Sequence, residues 1–220
     1  METRNYKITI TGASPLLIHA CNVVEQDRLK KWQKDPNNKK FSVSGDDRSP
    51  AWTWLTYCYH NGKNLTMDVD NIMSMFRDAG TKCPAPTGRG SMKAMTQSGI
   101  IAEGLGWEII VGGNKIPWEP LNALFNESDF EVHQEVASSL GIELFMKRAT
   151  IGTQKHVRVR PKFNEWAIEG NIMVLDPQLT ESNLKMILKQ GGFYVGLGDW
   201  RPGGKTPGQF GRFSAEIKKI

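Results

Sequence analysis

The stretch Lys155-His156-Val157-Arg158-Val159-Arg160-Pro161-Lys162-Phe163 alternates between basic and apolar side chains. Successive side chains of an extended strand point to opposite faces, so His156, Arg158, Arg160 and Lys162 form one row and Val157, Val159, Pro161 and Phe163 the other. The second row needs a core and the first needs an anion. Between Phe145 and Asn164 there are six Lys or Arg and no Asp or Glu. This charge is not neutralised locally, and it must meet water, an acidic patch from a distant part of the chain, or phosphate. The alternative of a solvated sheet face is disfavoured because strand cations without acidic cross-strand partners repel one another. The reading is a nucleic-acid surface carried by Lys147, Arg148, Lys155, His156, Arg158, Arg160 and Lys162.

A net charge of +5 over 220 residues, with an isoelectric point near 9.1, matters here because so much of it is clustered. The length allows one large domain with excursions. Cys21, Cys58 and Cys83 are odd in number and irregular in spacing, which fits reduced thiols of a cytoplasm better than a disulfide framework. The N-terminal residues lack a signal-peptide pattern, and no apolar run approaches membrane-spanning length. The expectation is a soluble intracellular protein with no membrane partner.

Residues 6–12 alternate, with Tyr6, Ile8 and Ile10 on one face, and predict a first strand central in a sheet. Residues 25–49 are rich in Lys, Asp, Asn and Ser and read as an exposed insertion holding at most a short hairpin. Asp46-Asp47 is expected there in a flexible turn, capping or solvated. Trp52, Trp54, Tyr57 and Tyr59 are packing residues. The first helix is expected over Met67–Ala79, capped by Asp68 or Asp70, and a second over Ser91 to about Glu103, after a mobile basic loop that carries Arg89. Gly112-Gly113-Asn114 predicts a hairpin turn between residues 107–111 and 115–118. Residues 119–144 carry no clear signal. Glu165–Leu175 alternates as a strand, Thr180 opens a helix, and residues 193–197 and 210–217 are expected as strands flanking a glycine-rich loop. Antiparallel hairpins with a closing strand, helix, strand give an α+β class.

That loop, Val195 to Gly211, is not a Walker A site, because the spacing fails by one residue and Pro207-Gly208 blocks the helix that should receive phosphate. It opens no helix of a dinucleotide-binding unit either. Trp200, Arg201, Lys205 and Arg212 instead combine stacking and charge, the means by which single-stranded nucleic acid is held without sequence reading. Its glycines carry an ordering cost that contacts must offset, so the loop is expected to order on its ligand. His19, Cys21, Cys58, His60 and Cys83 do not match structural zinc spacings, and no metal or cofactor is expected.

The first strand, the closing strand, helix, strand, and Gly196-Leu197-Gly198 followed by a basic loop and Phe210-Gly211-Arg212-Phe213 resemble the glycine-rich C-terminal signature of the RAMP superfamily, the ferredoxin-like proteins of CRISPR systems. Residues 157–161, Glu165-Trp166 and residues 196–202 also resemble bacteriophage proteins of similar size. The likeness is firmest over residues 155–217. It implies a ferredoxin-like, RRM-like antiparallel sheet with helices on one face, a single domain over residues 1–220 with an insertion near 25–49, and a bacterial or phage-infected host cytoplasm. It implies single-stranded RNA or DNA as partner, in one of two forms. The first is a non-catalytic subunit that self-associates along the strand as a multi-copy filament. The second is a metal-independent endoribonuclease with His19 as general base. A phage structural or host-interaction protein is the third class.

Overall fold

The computed structural model describes residues 3–43, 45–151 and 154–220, and the side chains of 151, 154 and 155 lie outside that description. In chain order the elements are β1 (Arg4–Gly12), β2 (Leu16–Leu17), α1 (Val23–Lys34), β3 (Thr66–Asp68), α2 (Val69–Gly80), α3 (Lys93–Ser98), β4 (Ile100–Ala102), β5 (Gly106–Val111) and β6 (Asn114–Lys115). They continue with α4 (Glu119–Ala123), α5 (Phe130–Ser139), β7 (Glu143–Ile151), β8 (Gln154–Phe163), β9 (Ala167–Val174), α6 (Glu181–Gln190) and β10 (Phe213–Lys219).

The larger sheet runs β10-β1-β9-β5-β3, and every pairing in it is antiparallel. β4 and β5 both pair with β9 and act as one strand interrupted at Glu103–Leu105, where Leu105 is turned out to solvent. Counting that pair once, β1, α2, β4/β5, β9, α6 and β10 form a β-α-β-β-α-β unit with the fourth strand beside the first, the first beside the third and the third beside the second. That is ferredoxin-like topology, and the expected α+β class stands. β1 is central, as its alternation predicts, and Tyr6, Ile8 and Ile10 are buried.

α2 and α6 supply the helical side of this core. Asp68 caps α2 by accepting from the N–H of Asp70 at 2.8 Å, and Ile72, Met75, Phe76 and Ala79 are buried. Thr180 caps α6 by accepting from the N–H of Asn183 at 3.3 Å, and Leu184, Ile187 and Leu188 are buried. Each such apolar side chain taken fully from water contributes roughly 1.5–3 kcal/mol before chain entropy is counted. Within the sheet, a Cβ at Gly170 would fall 2.0 Å from Cε2 of Trp107, so the indole occupies the space a side chain would need.

The opposite face of this sheet is a lattice of paired charge. Lys7 meets Glu169 at 2.7 Å and Lys115 meets Glu108 at 2.5 Å. Among the described residues no aromatic side chain stands with them, so this face lacks the stacking platform on which an RRM-type sheet holds bases.

A second sheet, β2-β8-β7, lies outside the ferredoxin-like unit and holds the basic strand. Its apolar row behaves as expected, with Val159, Pro161 and Phe163 buried. They face the 3₁₀ turn Ala51–Tyr57, in which all seven residues are buried. There Trp54 Nε1 donates to Nδ1 of the buried His133 at 3.0 Å, while His133 Nε2 lies 3.1 Å from the Glu127 carbonyl.

Several element boundaries differ from the sequence reading. The first helix is α1, not α2: Asn22 caps it and none of its residues is buried, so it lacks the apolar stripe that makes helices legible. The insertion near 25–49 is therefore largely this helix and a 3₁₀ turn at Pro36–Asn38. α3 stops at Ser98, and the chain turns into β4 instead of continuing to Glu103. Residues 193–197 are no strand; Gly191–Val195 forms a π-helical turn extending α6, and β10 begins only at Phe213. The β5–β6 hairpin is present, with Gly112 and Gly113 at φ of +57° and +81°.

Candidate nucleic-acid interface

β7 and β8 pair in a register that sets Glu143 opposite Lys162, Phe145 opposite Arg160, Lys147 opposite Arg158 and Ala149 opposite His156. These eight residues share one face, so the hairpin carries Phe145 and Lys147 beside the basic row. The row finds one carboxylate across the hairpin and two from distant segments. Arg158 pairs with Asp47 at 2.8 Å, Lys162 with Glu143 at 2.6 Å, and Arg160 with Asp199. Of the three partners open to this charge, an acidic group from elsewhere in the fold meets these cations within the chain itself.

Asp47 is the anchor. It is 5% exposed, and its carboxylate also accepts from the Tyr57 hydroxyl and from the Val159 N–H, each at 3.2 Å. Its own N–H donates to the Val157 carbonyl at 2.9 Å, and the Val157 N–H to the Gly45 carbonyl at 2.8 Å. Residues 45–47 thus extend the edge of β8 that β2 begins at Leu16 and Leu17. Asp46 caps its turn by accepting from the Arg48 N–H at 2.9 Å, whereas Asp47 is no solvated residue of a flexible turn but a buried anchor, because Arg158 and two hydrogen-bond donors converge on its carboxylate.

The glycine-rich loop is folded over the same face. Asp199 N–H donates to the Leu17 carbonyl at 2.7 Å, Gly211 N–H to the Pro15 carbonyl at 2.8 Å, and Leu197 N–H to the Gly211 carbonyl at 2.9 Å. Gly198 has a φ of +74°, and a Cβ on it would lie 2.3 Å from the Leu17 oxygen, so only glycine allows this approach. The contacts that offset the ordering cost of these glycines are intramolecular.

The docked loop brings Trp200 and Phe210 to Phe145, with ring centroids 6.3 and 5.7 Å from it. Lys147 Nζ lies 4.1 Å from the Trp200 centroid, the Arg160 guanidinium 5.4 Å from it, and Lys162 Nζ 5.4 Å from Phe145. All three rings are only partly buried and Lys147 is exposed. Trp200 holds a φ of +47°, a conformation that L side chains other than Asn and Asp rarely adopt.

His19 borders this face, exposed, with its ring 4.6 Å from that of Tyr57. Desolvation by surrounding protein, then the charges of Arg160 and Arg158, lower its pKa to about 4. Burial, then the Asp47 carboxylate, pushes the Tyr57 phenol up to about 12. The imidazole and the phenol are thus both neutral at pH 7, and the imidazole is a weaker base than an ordinary histidine.

The fold brings together His19, Lys147, His156, Arg158, Arg160, Lys162 and Trp200 from the sequence reading. Arg148 is exposed on the reverse face of the hairpin, opposite Val157, and the Lys155 side chain lies outside the described residues. Arg201 turns away to α2, where it meets Asp78 at 3.2 Å and Ser74 at 3.4 Å. Lys205 is exposed at the loop tip, and Arg212 donates to the Phe193 carbonyl. Arg89 sits in a separate loop tied to Gln178 through Thr87 at 3.2 Å. Sequence reasoning missed Asp47, Tyr57, Phe145 and Phe210; alternation across β7 would have found Phe145, whereas the others arrive by tertiary contact. Cys58 and Cys83 are buried and Cys21 exposed, and among the described residues no three His, Cys, Asp or Glu gather as a metal site. Among the described residues no helix is long and apolar enough to cross a membrane.

Fold and face together define a ferredoxin-like α+β protein with an added hairpin sheet whose outer side mixes cations and aromatic rings. No family model matches the chain, and no curated protein does. Among solved structures, the crystal structure of Cmr6 from Pyrococcus furiosus is similar at 10% identity and a TM-score of 0.39, over 98% of this chain and 100% of that one. A likeness at this level bears on neither partner nor activity.

Proposed function

We propose that this protein binds single-stranded RNA or DNA along the β7–β8 face and does not cut it. The observation that carries the reading is the cluster of Trp200, Phe145 and Phe210 with Lys147, Arg160 and Lys162 held over the rings. Partly exposed rings offer bases a stacking surface that every base can use, and the neighbouring cations meet the backbone. Lys147 has no carboxylate partner among the described residues, so it carries a phosphate contact most cheaply; Arg158 and Arg160 must share theirs with Asp47 and Asp199. Self-association along the strand belongs to the same proposal. The exposed Phe193 and Tyr194 and the outer edge of β10 are surfaces that a second copy would use.

Anisotropy titrations of a labelled single strand over a range of salt test this. Trp200→Ala is expected to lose about 1–3 kcal/mol of binding. Lys147→Ala should flatten the log-affinity against log-salt slope by roughly 0.7 for the lost contact. Purified protein free of nucleic acid that binds no strand at low salt would leave a structural or host-interaction role instead.

A second reading, a metal-independent endoribonuclease, is favoured by the position of His19 beside Arg158 and Arg160. It requires cleavage of RNA in EDTA that slows by about 10²- to 10⁴-fold in His19→Ala. The binding reading expects no cleavage, and an affinity nearly unchanged by His19→Ala because a neutral ring contributes no charge.

A further inference from the structure

Beside the hairpin face, a cleft of about 620 Å³ opens between α1, residues 38–41 and 48–52, and the turn that follows α4. Its volume lies in the range of small-molecule sites, roughly 300–1,000 Å³. Trp32, Phe41 and the nearly buried Trp52 and Phe125, each 5% exposed, line it, with Arg28, Arg48 and Glu127 among them. The Arg28 guanidinium lies 4.1 Å from the Phe125 centroid and 5.5 Å from that of Trp52. Among the described residues no carboxylate pairs with Arg28, so its N–H donors remain for a ligand. Phe41 is 57% exposed at the mouth of the cleft, with Lys40 Nζ 4.8 Å from its ring.

Aromatic walls, a stacked guanidinium and the exposed amide of Asn126 match the three demands of a nucleobase: a π face to stack on, donors for its ring and carbonyl acceptors, and a group that both donates and accepts. The cleft is also continuous with the hairpin face. Ser49 lines it and also lines the adjoining hollow that holds Asp47, His156 and Arg158. Arg48 in the cleft pairs with Asp46 at 2.6 Å, and Asp46 bridges to Val157 on β8. The cleft therefore neighbours the basic row across residues 46–49.

We propose that the cleft receives one unstacked base of the single strand bound on the hairpin, seated among Trp32, Phe41, Trp52 and Phe125 with Arg28 at its edge. This rests on the binding reading above and adds to it a base-dependent subsite. A strand that only coats the basic row would be held by its backbone, whereas a strand with a base in the cleft is held by that base as well.

The test compares a dye-labelled single strand with an abasic strand of the same backbone and length, titrated against the full chain and against Trp32→Ala with Phe41→Ala. Both positions retain exposure, and circular dichroism with thermal melting checks that the variant folds. The wild type is expected to prefer the base-bearing strand, and the double variant to lose about 5- to 100-fold on it while changing less than about twofold on the abasic strand. Equal losses on both strands, or none on either, would overturn the cleft assignment and leave the hairpin reading standing. Failure of the wild type to bind either strand would remove the hairpin reading and the cleft with it. Binding of an acidic aromatic peptide that depends on Trp32 and Phe41, with no base dependence, would give the cleft to a protein partner and also overturn it.

Discussion

Asp47 shows how one buried residue fixes the character of a surface. Its carboxylate satisfies Arg158, the Tyr57 hydroxyl and the Val159 N–H at once, and it ties residues 45–47 to β8. Removing one member of a buried pair costs about 3–5 kcal/mol, mostly through the charge left behind. Arg158 keeps 29% of its side chain exposed and can turn to water, so Asp47→Asn is expected to cost less, about 1–3 kcal/mol, in urea unfolding. An unchanged midpoint would show that the three donors find other partners. The same substitution frees Arg158, so affinity for a single strand should rise while stability falls, a combination that simple unfolding does not produce.

At the scale of elements, the glycine loop and the hairpin make one surface only because they touch. Asp199 and Gly198 hold the loop on β2, and that docking sets Trp200 over Lys147 and Arg160. Gly198→Ala places a Cβ 2.3 Å from the Leu17 oxygen on a backbone at φ +74°. The expected loss is more than about 1 kcal/mol of stability, together with a shift in Trp200 fluorescence as the indole leaves its cations. Chemical denaturation with tryptophan emission measures both in a variant whose other tryptophans are replaced by phenylalanine. Retained emission with full stability would mean that the loop needs no such close approach.

Over the whole molecule, histidine burial makes stability sensitive to acid. Desolvation is the leading cause of the lowered pKa of His133, which lies fully buried between Trp54 and the Glu127 carbonyl, and of His60 and His19. The unfolded chain takes up protons on these rings near their ordinary value of 6.5, whereas the folded chain does so only at lower pH. The unfolded state therefore binds more protons below that value, and stability falls as the pH drops through it. The slope approaches about 1.4 kcal/mol per pH unit for the fully buried His133 and is smaller for the more exposed His60 and His19. Urea unfolding between pH 7 and 5 should show this decline, and His133→Gln should flatten it although less stable at pH 7. A slope unchanged by His133→Gln would assign the decline to other groups.

Much of the ferredoxin-like unit was legible because its signals are local. Alternation in residues 6–12 and 165–175, the caps Asp68 and Thr180 and the Gly112-Gly113 turn each state an element within a few residues, since strand pleat and helix ends are properties of neighbouring backbone. The same alternation divided residues 155–163 into an apolar and a basic face. α1 escaped because it fully buries no residue, and the π-helical turn at Gly191–Val195 because a run of Phe, Tyr and Val reads as strand when its neighbours are unknown. The composition of the basic row was likewise fixed by the sequence, but its partners were not. Asp47, Asp199, Trp200 and Phe210 come from segments up to about a hundred residues away, and close approach of glycine backbone brings the last three in. Local periodicity decides which face a side chain takes, whereas what meets that face depends on chain closure over long separations, which only the packed tertiary structure determines.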